Sequence, residues 1–252
     1  MTQRVNKAAV AAAFGRAAAT YDSHADLQRA SGRLLEKRLA EREIATVLDA
    51  GCGTGWYSRR WREKGCHVMA LDLSPGMLRQ AALQHSADSY LEGDIEAINL
   101  ADQQVDLAWS NLAVQWCGEL RRGLSELYRV TRPGGCVAFT TLAAASLCEL
   151  HTAWQAVDQR LHVNRFLTFE QIEQACEGWR FSLQTHQIRQ SYPSVVSAMQ
   201  SLKGIGATHL HEGRKTSLMT RQQLQKLSLA WPQEEGQFPL SWQLVCGVIE
   251  RD

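Results

Sequence analysis

Seven residues, Asp49-Ala50-Gly51-Cys52-Gly53-Thr54-Gly55, constrain this chain more than any other feature. They follow a short apolar run that begins at Thr46 and precede a stretch from Trp56 to Lys64 with helical composition. Glycines adopt positive φ without strain and, lacking Cβ, let a small molecule lie against backbone amides at a helix N-terminus. A strand must therefore turn sharply into a helix here, either for tight packing alone or to cradle a ligand.

Spacing narrows the ligand. Dinucleotide sites use G-x-G-x-x-G/A, whereas here the third glycine falls at Gly55 and Trp56 stands where the last small residue belongs. A bulky indole at that point argues against a pyrophosphate. An acidic residue is expected about 20 positions on, at the end of the second strand, to meet ribose hydroxyls, and Asp72 stands there between Leu71 and Leu73.

The alternation continues along the chain. HVMALDL, SYLEG, VDLAWS and CVAFTTL (the last after the turn Pro133-Gly134-Gly135) read as strands, and Trp56–Lys64, Met77–Gln84 and Leu120–Val130 as the helices between them. Repeated units of this kind predict an α/β fold with a mostly parallel sheet. Helices over Lys7–Tyr21 and Ala25–Ala40 precede it. Helices at Leu147–Asp158, Thr168–Glu177, Ser194–Lys203 and Thr220–Leu229 follow, with strands near Phe181–Ile188 and at WQLVCGVIE. At 252 residues and 45% apolar content, one elaborated domain is expected. It divides into an N-terminal helical lid at 1–45, a cofactor-binding core at 46–142, and a remainder at 143–252 with a substrate-side insertion over about 193–235.

Charge and cysteine usage exclude several classes. A formal charge of +1 provides no field for nucleic acid or an anionic membrane. No apolar run approaches the ~20 residues of a membrane span, and the N-terminus lacks a signal-peptide pattern, so a cytoplasmic protein is expected. Seven scattered cysteines without C-x-x-C spacing read as reduced thiols, not as a disulfide or zinc framework. His209 and His211 form an H-x-H pair with no third ligand nearby, so no metal is expected.

Taken together, DAGCGTG, the LDLS stretch holding Asp72, GDIE holding Asp94, and WSNL resemble the ordered motif series of class I methyltransferases. The resemblance implies a Rossmann-like, doubly wound, seven-stranded sheet and S-adenosylmethionine as cofactor. It assigns Gly51, Gly53 and Gly55 to the methionine portion, with Asp49 organising the turn, and Asp72 to the ribose. Asp94 and Ile95 go to the adenine end, and Asn111 and Leu112 lie near the reactive methyl. Cys52, Thr54, Leu73 and Met77 complete the expected cofactor-binding set. Asp94 and Asn111, taken singly, also read as caps or turn residues.

Beyond this core, FGRAAATYDSHADLQ, NLAVQWC, MQSLKGIGATHLHEGR and Met219–Leu224 resemble the malonyl-acyl-carrier-protein O-methyltransferases of biotin synthesis over nearly the whole chain. That family implies methyl transfer to the free carboxylate of a malonyl thioester, carried by acyl carrier protein or coenzyme A. Methylation of another small acid or a quinone precursor is the alternative. A carboxylate of pKa near ~4 is already ionised at pH 7 and needs no general base, so positioning and exclusion of water must carry the rate. Tyr21 and Trp116 are candidates for walling the site, Trp116 equally for plain core packing. Arg165, Lys203 and His209 are candidates for gripping the substrate, although each charge also reads as a solvated surface group. Five basic residues, Lys203, Arg214, Lys215, Arg221 and Lys226, against Glu212 alone, suit docking of an acidic carrier.

Overall fold

The computed structural model describes residues 5–158, 162, 164–204 and 220–252, and of Lys203 and Gly204 the backbone only. A seven-stranded sheet is built from β1 (Thr46–Ala50), β2 (His67–Asp72), β3 (Ser89–Glu92), β4 (Val105–Asn111), β5 (Thr131–Leu142), β6 (Arg180–Tyr192) and β7 (Phe238–Glu250). Their order is β3-β2-β1-β4-β5-β7-β6. The neighbours β3-β2, β2-β1, β1-β4 and β4-β5 are parallel, and β7 runs antiparallel to both β5 and β6. The expected doubly wound, mostly parallel seven-stranded sheet is therefore present. Strand order reverses between β1 and β4, which opens a crevice at their carboxyl ends, where ligands bind in such sheets.

Alternation along β1 explains the two layers of core. Val47 packs with Leu35, Trp109 and Trp242 on one face, and Leu48 with Leu71, Phe139 and Val245 on the other. The helices α3 (Trp56–Glu63), α4 (Pro75–Leu83), α5 (Leu120–Val130) and α7 (Phe169–Cys176) follow strands or precede them, and α6 is Cys148–Gln155. In α5, Leu120, Leu124, Leu127 and Val130 recur at helical spacing and are all buried, which is why the pattern fixed both ends of that helix. Ser74 caps α4 through its Oγ, which accepts from the Met77 amide, and Pro75 takes the first helical position, so the helix starts directly after Asp72. Thr168 and Thr220 form capping boxes that start α7 and α9 (Arg221–Ala230), while α8 spans Val195–Gly204.

Two helices precede the sheet, α1 (Lys7–Ala17) and α2 (Asp26–Lys37). The first crosses α4 at very close range: a Cβ placed on Gly76 would lie 2.7 Å from Gly15 Cα. The helix expected to run to Tyr21 ends at Ala17, and Tyr21–His24 form a separate 3₁₀ turn. The Thr20 hydroxyl donates to the Ala17 carbonyl and the Ser23 hydroxyl to the Thr20 carbonyl, so local side chains replace the helical ladder.

β5 also differs from expectation. It begins at Thr131, not Cys136: Thr131 pairs with Val105, and after a shift in register Cys136 pairs with Leu107. The residues between form an excursion held by the C-terminal end, with the Gly134 amide donating to the Arg251 carbonyl and the Arg251 amide to that of Gly135. The last two strands are longer than their apolar cores, since β6 and β7 remain paired from Arg180↔Glu250 to Tyr192↔Phe238.

Candidate active site

The glycine turn is built around Asp72. Its carboxylate accepts from the Gly53 amide at 2.9 Å and from the Ser74 amide at 2.8 Å, joining the turn after β1 to the start of α4. Burial raises this carboxyl to about 6 against the downward pull of those amides. Gly51 has φ +78°, and a Cβ there would lie 2.2 Å from the Ala113 Cβ, so the close approach of the β4 loop requires glycine. Gly53, at φ +58°, has only the Tyr21 ring at 3.9 Å in front of it. Asp49 lies beneath the turn, where its Oδ2 accepts from Ser58 Oγ at 2.6 Å, and burial raises it to about 7.

A first cleft, with about 660 Å³ of empty space including its open mouth, runs along this turn. Gly51, Gly53, Asp72, Leu73, Met77, Asp94, Ile95, Asn111 and Leu112 line it together. One wall comes from α1 through Lys7, Val10 and Phe14. Lys7 Nζ reaches Asp94 Oδ1 at 2.9 Å and Glu96 Oε2 at 2.7 Å. Leu112 takes φ +52°, a strained backbone for a leucine, with its amide donating to Thr140 Oγ1 at 2.9 Å.

Asn111 is occupied within the protein. Its Oδ1 accepts from Ser31 Oγ and Thr140 Oγ1, and its Nδ2 donates to the Gln28 carbonyl. The side chain thereby braces α2 against the ends of β4 and β5.

A second cavity, with about 820 Å³ of empty space, adjoins the first across Phe14, Tyr21, Leu112 and Trp116. Phe14 makes an edge contact with Trp116 at 5.4 Å and a tilted one with Tyr21 at 6.3 Å. Leu150, Trp154, Phe166, Met199 and Trp242 give the cavity an apolar wall, and among the described residues Gln28, Gln115, His162 and Asn164 add polar side chains. His162 stacks on Trp154 and contacts Asp158 Oδ1 through Nε2 at 2.7 Å. Burial, reinforced by Asp72 and Asp22, raises the Tyr21 phenol well above its ordinary range, so it stays a neutral donor.

A third, smaller cleft shares Tyr21, Gly51, Gly53 and Asn111 with the first. Asp49, Cys52 and Thr54 line it, with Gln28, Trp56 and Trp109. Thr54 Oγ1 donates to Asp22 Oδ1 at 2.6 Å, tying the turn to the 3₁₀ segment. Gly55 instead opens α3 and packs against Ser86. Tyr21 lines all three spaces.

Other sequence candidates fall elsewhere. Arg165 borders a separate hollow with Val114, Leu120 and Thr141 instead of the cavity behind Tyr21, while its neighbour Phe166 reaches that cavity. Lys203 is the last residue but one of α8, with its side chain outside the described residues; His209, His211, Glu212, Arg214 and Lys215 lie outside them altogether. Arg221 and Lys226 are exposed on α9. Lys7, Phe14, Gln28 and His162 were not anticipated. Each enters the site by tertiary packing of segments far apart in sequence; Phe14 and Gln28 are the two ends of the FGRAAATYDSHADLQ stretch, while Lys7 and His162 lie outside the stretches that carry the resemblance. Among the described residues no His, Cys, Asp and Glu side chains cluster in threes to hold a metal, and no helix is long and apolar enough to cross a membrane.

Comparison with known proteins agrees with this arrangement. Residues 48–139 match the family described as Methyltransferase domain. The malonyl-[acyl-carrier protein] O-methyltransferase of Pseudescherichia vulneris is 59% identical over 248 residues, covering 98% of this chain and 99% of the relative. The protein of the same name from Salmonella typhimurium is 57% identical, covering 99% of each. Among solved structures, the YcgJ protein from Bacillus subtilis superposes with a TM-score of 0.61 at 14% identity, covering 89% of this chain and 99% of that one. The [4+2]-cyclase SpnF superposes at 0.54 with 16% identity, covering 88% and 80%. These two likenesses establish the fold, which hosts more than one chemistry. The near full-length identity carries the finer assignment: the chain belongs to the malonyl-[acyl-carrier protein] O-methyltransferase family.

Proposed function

We propose that this protein transfers the methyl group of S-adenosylmethionine to the free carboxylate of malonyl-acyl carrier protein, giving the methyl ester that primes pimeloyl synthesis for biotin. The observation that carries the reading is the meeting of three clefts at Tyr21. A methyl-bearing sulfonium has three substituents, and each needs its own space: the adenosyl group, the aminocarboxypropyl group and the methyl directed at its acceptor. The high identity to named methyltransferases of malonyl-acyl carrier protein supports the acceptor.

S-adenosylmethionine supplies an electrophilic methyl on a positively charged sulfur. The residues present fit it. Asp72, Asp94 and Ile95 line one cleft, which supports Asp72 as acceptor from ribose hydroxyls and Asp94 and Ile95 as the adenine end. The turn Gly51–Thr54 faces the methionine portion, where no side chain blocks Gly53. Leu112 bounds the reacting region from below.

The acceptor carboxylate arrives ionised, so no residue has to remove a proton. Phe14, Tyr21 and Trp116 exclude water from two opposite charges that vanish together in the transition state. The Tyr21 hydroxyl, kept neutral, donates to the carboxylate and holds it in line. Lys203 and His209 remain candidates for recognition of the malonyl group. The basic run from Lys203 to Lys226, with Arg221 and Lys226 exposed, suits an acidic carrier. A soluble carrier as partner fits a cytoplasmic enzyme.

Mass spectrometry of malonyl-acyl carrier protein after incubation with enzyme and S-adenosylmethionine tests this, with acetyl-acyl carrier protein as control. A one-methyl gain on the malonyl form alone, removed by an esterase, is expected. No gain despite cofactor binding would redirect the assignment to free organic acids or quinone precursors.

A further inference from the structure

Helix α9 backs the second cavity without entering it. Its Leu227 is fully buried, in the core cluster that also holds Leu150, Trp154 and Leu202. The helix packs against α6 and α8, which supply Leu150, Trp154, Met199 and Leu202 to the cavity lining, whereas no residue of α9 lines the cavity.

The opposite face of α9 is open to solvent. Arg221, Gln222, Gln225, Lys226 and Leu229 are all exposed, and at 3.6 residues per turn they fall within one arc of about 140°. Leu229 stands near the middle of that arc and is 79% exposed. Gln225 and Lys226, four and three positions before it, are its neighbours on the helix surface, and Arg221 continues the row through Gln225. The ten residues of α9 carry two cations and no acid, and among the described residues neither cation has an ion-pair partner. The next acids, Glu234 and Glu235, lie beyond the helix, and Glu234 is paired with Arg189. A single exposed leucine is ordinary on its own. Set between two unpaired cations, on the helix that backs the acceptor cavity, it makes a surface complementary to an acidic protein: the charges steer the encounter and the leucine supplies a dry centre.

We infer that this face of α9 docks the acyl carrier protein, with Arg221 and Lys226 meeting its carboxylates and Leu229 seated against an apolar side chain between them. The inference rests on the function proposed above and adds where the carrier stands. Only the layer of α6 and α8 then separates the carrier from the cavity, a depth of roughly 10 Å for the acyl arm to span.

Steady-state kinetics with two acceptors tests it: malonyl-acyl carrier protein, and malonyl-pantetheine, which keeps the thioester but has neither protein nor phosphate. The variants are the double substitution Arg221→Glu with Lys226→Glu, and Leu229→Gln. All three positions are exposed, and a glutamate at the first residue of the helix suits its dipole, so both variants should fold. Each is expected to raise KM for the carrier-linked substrate roughly 10-fold, with kcat and the KM for malonyl-pantetheine unchanged. The wild-type KM for the carrier should rise with added salt, and the double variant should lose that rise. Unchanged carrier KM in both variants, or equal loss for both acceptors, would overturn the docking face. If the wild type accepts only the carrier-linked form, survival of the salt-dependent rise in the double variant overturns it instead. Methylation of neither acceptor by the wild type would remove the proposed function, and this inference with it.

Discussion

Lys7 Nζ bridges Asp94 Oδ1 and Glu96 Oε2 at 2.9 and 2.7 Å, across almost ninety residues of sequence. The ion pair fastens α1 over the first cleft, which Lys7 and Asp94 both line. Replacing Lys7 by Met is expected to leave the sheet intact and to speed dissociation of S-adenosylhomocysteine by roughly 3- to 10-fold, measured by stopped-flow fluorescence. An unchanged rate would mean that α1 does not gate the cleft.

Asp72 is the second point of test. Its carboxyl, raised to about 6 by burial, accepts from the Gly53 and Ser74 amides, and on the proposed cofactor reading it must be ionised to accept from ribose hydroxyls as well. Cofactor affinity should therefore fall as pH drops through about 6. Asp72→Ala should lose roughly 10- to 100-fold in affinity at pH 8 by calorimetry, with little remaining pH dependence in that window.

The glycines of the turn should respond differently to alanine. Gly51→Ala drives a Cβ to 2.2 Å from Ala113, at a positive φ, and should destabilise the fold by about 2–4 kcal/mol in urea titration. Gly53→Ala faces open space and pays only its positive φ, about 1–2 kcal/mol, while obstructing the ligand. A stable Gly53→Ala protein with cofactor affinity like wild type would contradict the placement of the methionine portion.

Tyr21 stands where all three clefts meet. Tyr21→Phe keeps the ring and removes the hydroxyl, and kcat should fall about 10-fold or less. Tyr21→Ala opens the junction to water and should cost on the order of 100-fold. Equal activity in both variants and wild type would take Tyr21 out of the mechanism.

Asp49 gives a stability signature. Burial raises its folded pKa to about 7 from the ordinary 3.8, so the folded state keeps a proton that the unfolded chain releases between about pH 4 and 7. Stability of the cofactor-free protein should decline as pH rises through that window, and the full cost is present above it. Asp49→Asn should flatten this slope, removing on the order of 1–3 kcal/mol of pH dependence in thermal or urea unfolding.

The features legible in the sequence are those set by local chemistry. The glycine turn announces itself because positive φ at Gly51 and Gly53 tolerates few other residues, and Asp72 because a strand end at that distance fixes where its carboxylate lies. The α5 boundaries follow from one buried stripe, Leu120 to Val130. What escaped depends on partners remote in sequence. The β5 excursion exists because the Arg251 backbone binds Gly134 and Gly135, and nothing in TRPGGC alone distinguishes it from a turn. Lys7 reads as an ordinary helix charge until Asp94 and Glu96 are brought against it, and the bracing of Asn111 by Ser31 and Thr140 is equally invisible before folding. Arg165 and Phe166 illustrate the same limit, since only packing decides which of two adjacent residues enters the cavity.

The contact of Gly15 with Gly76 has a kinetic consequence. Helix α1 cannot lift without disturbing the start of α4, which begins directly after Asp72, and Phe14 on the same helix walls both the first cleft and the second cavity. One movement thus uncovers both spaces. The two products are then held until α1 opens, so their release should share a single rate.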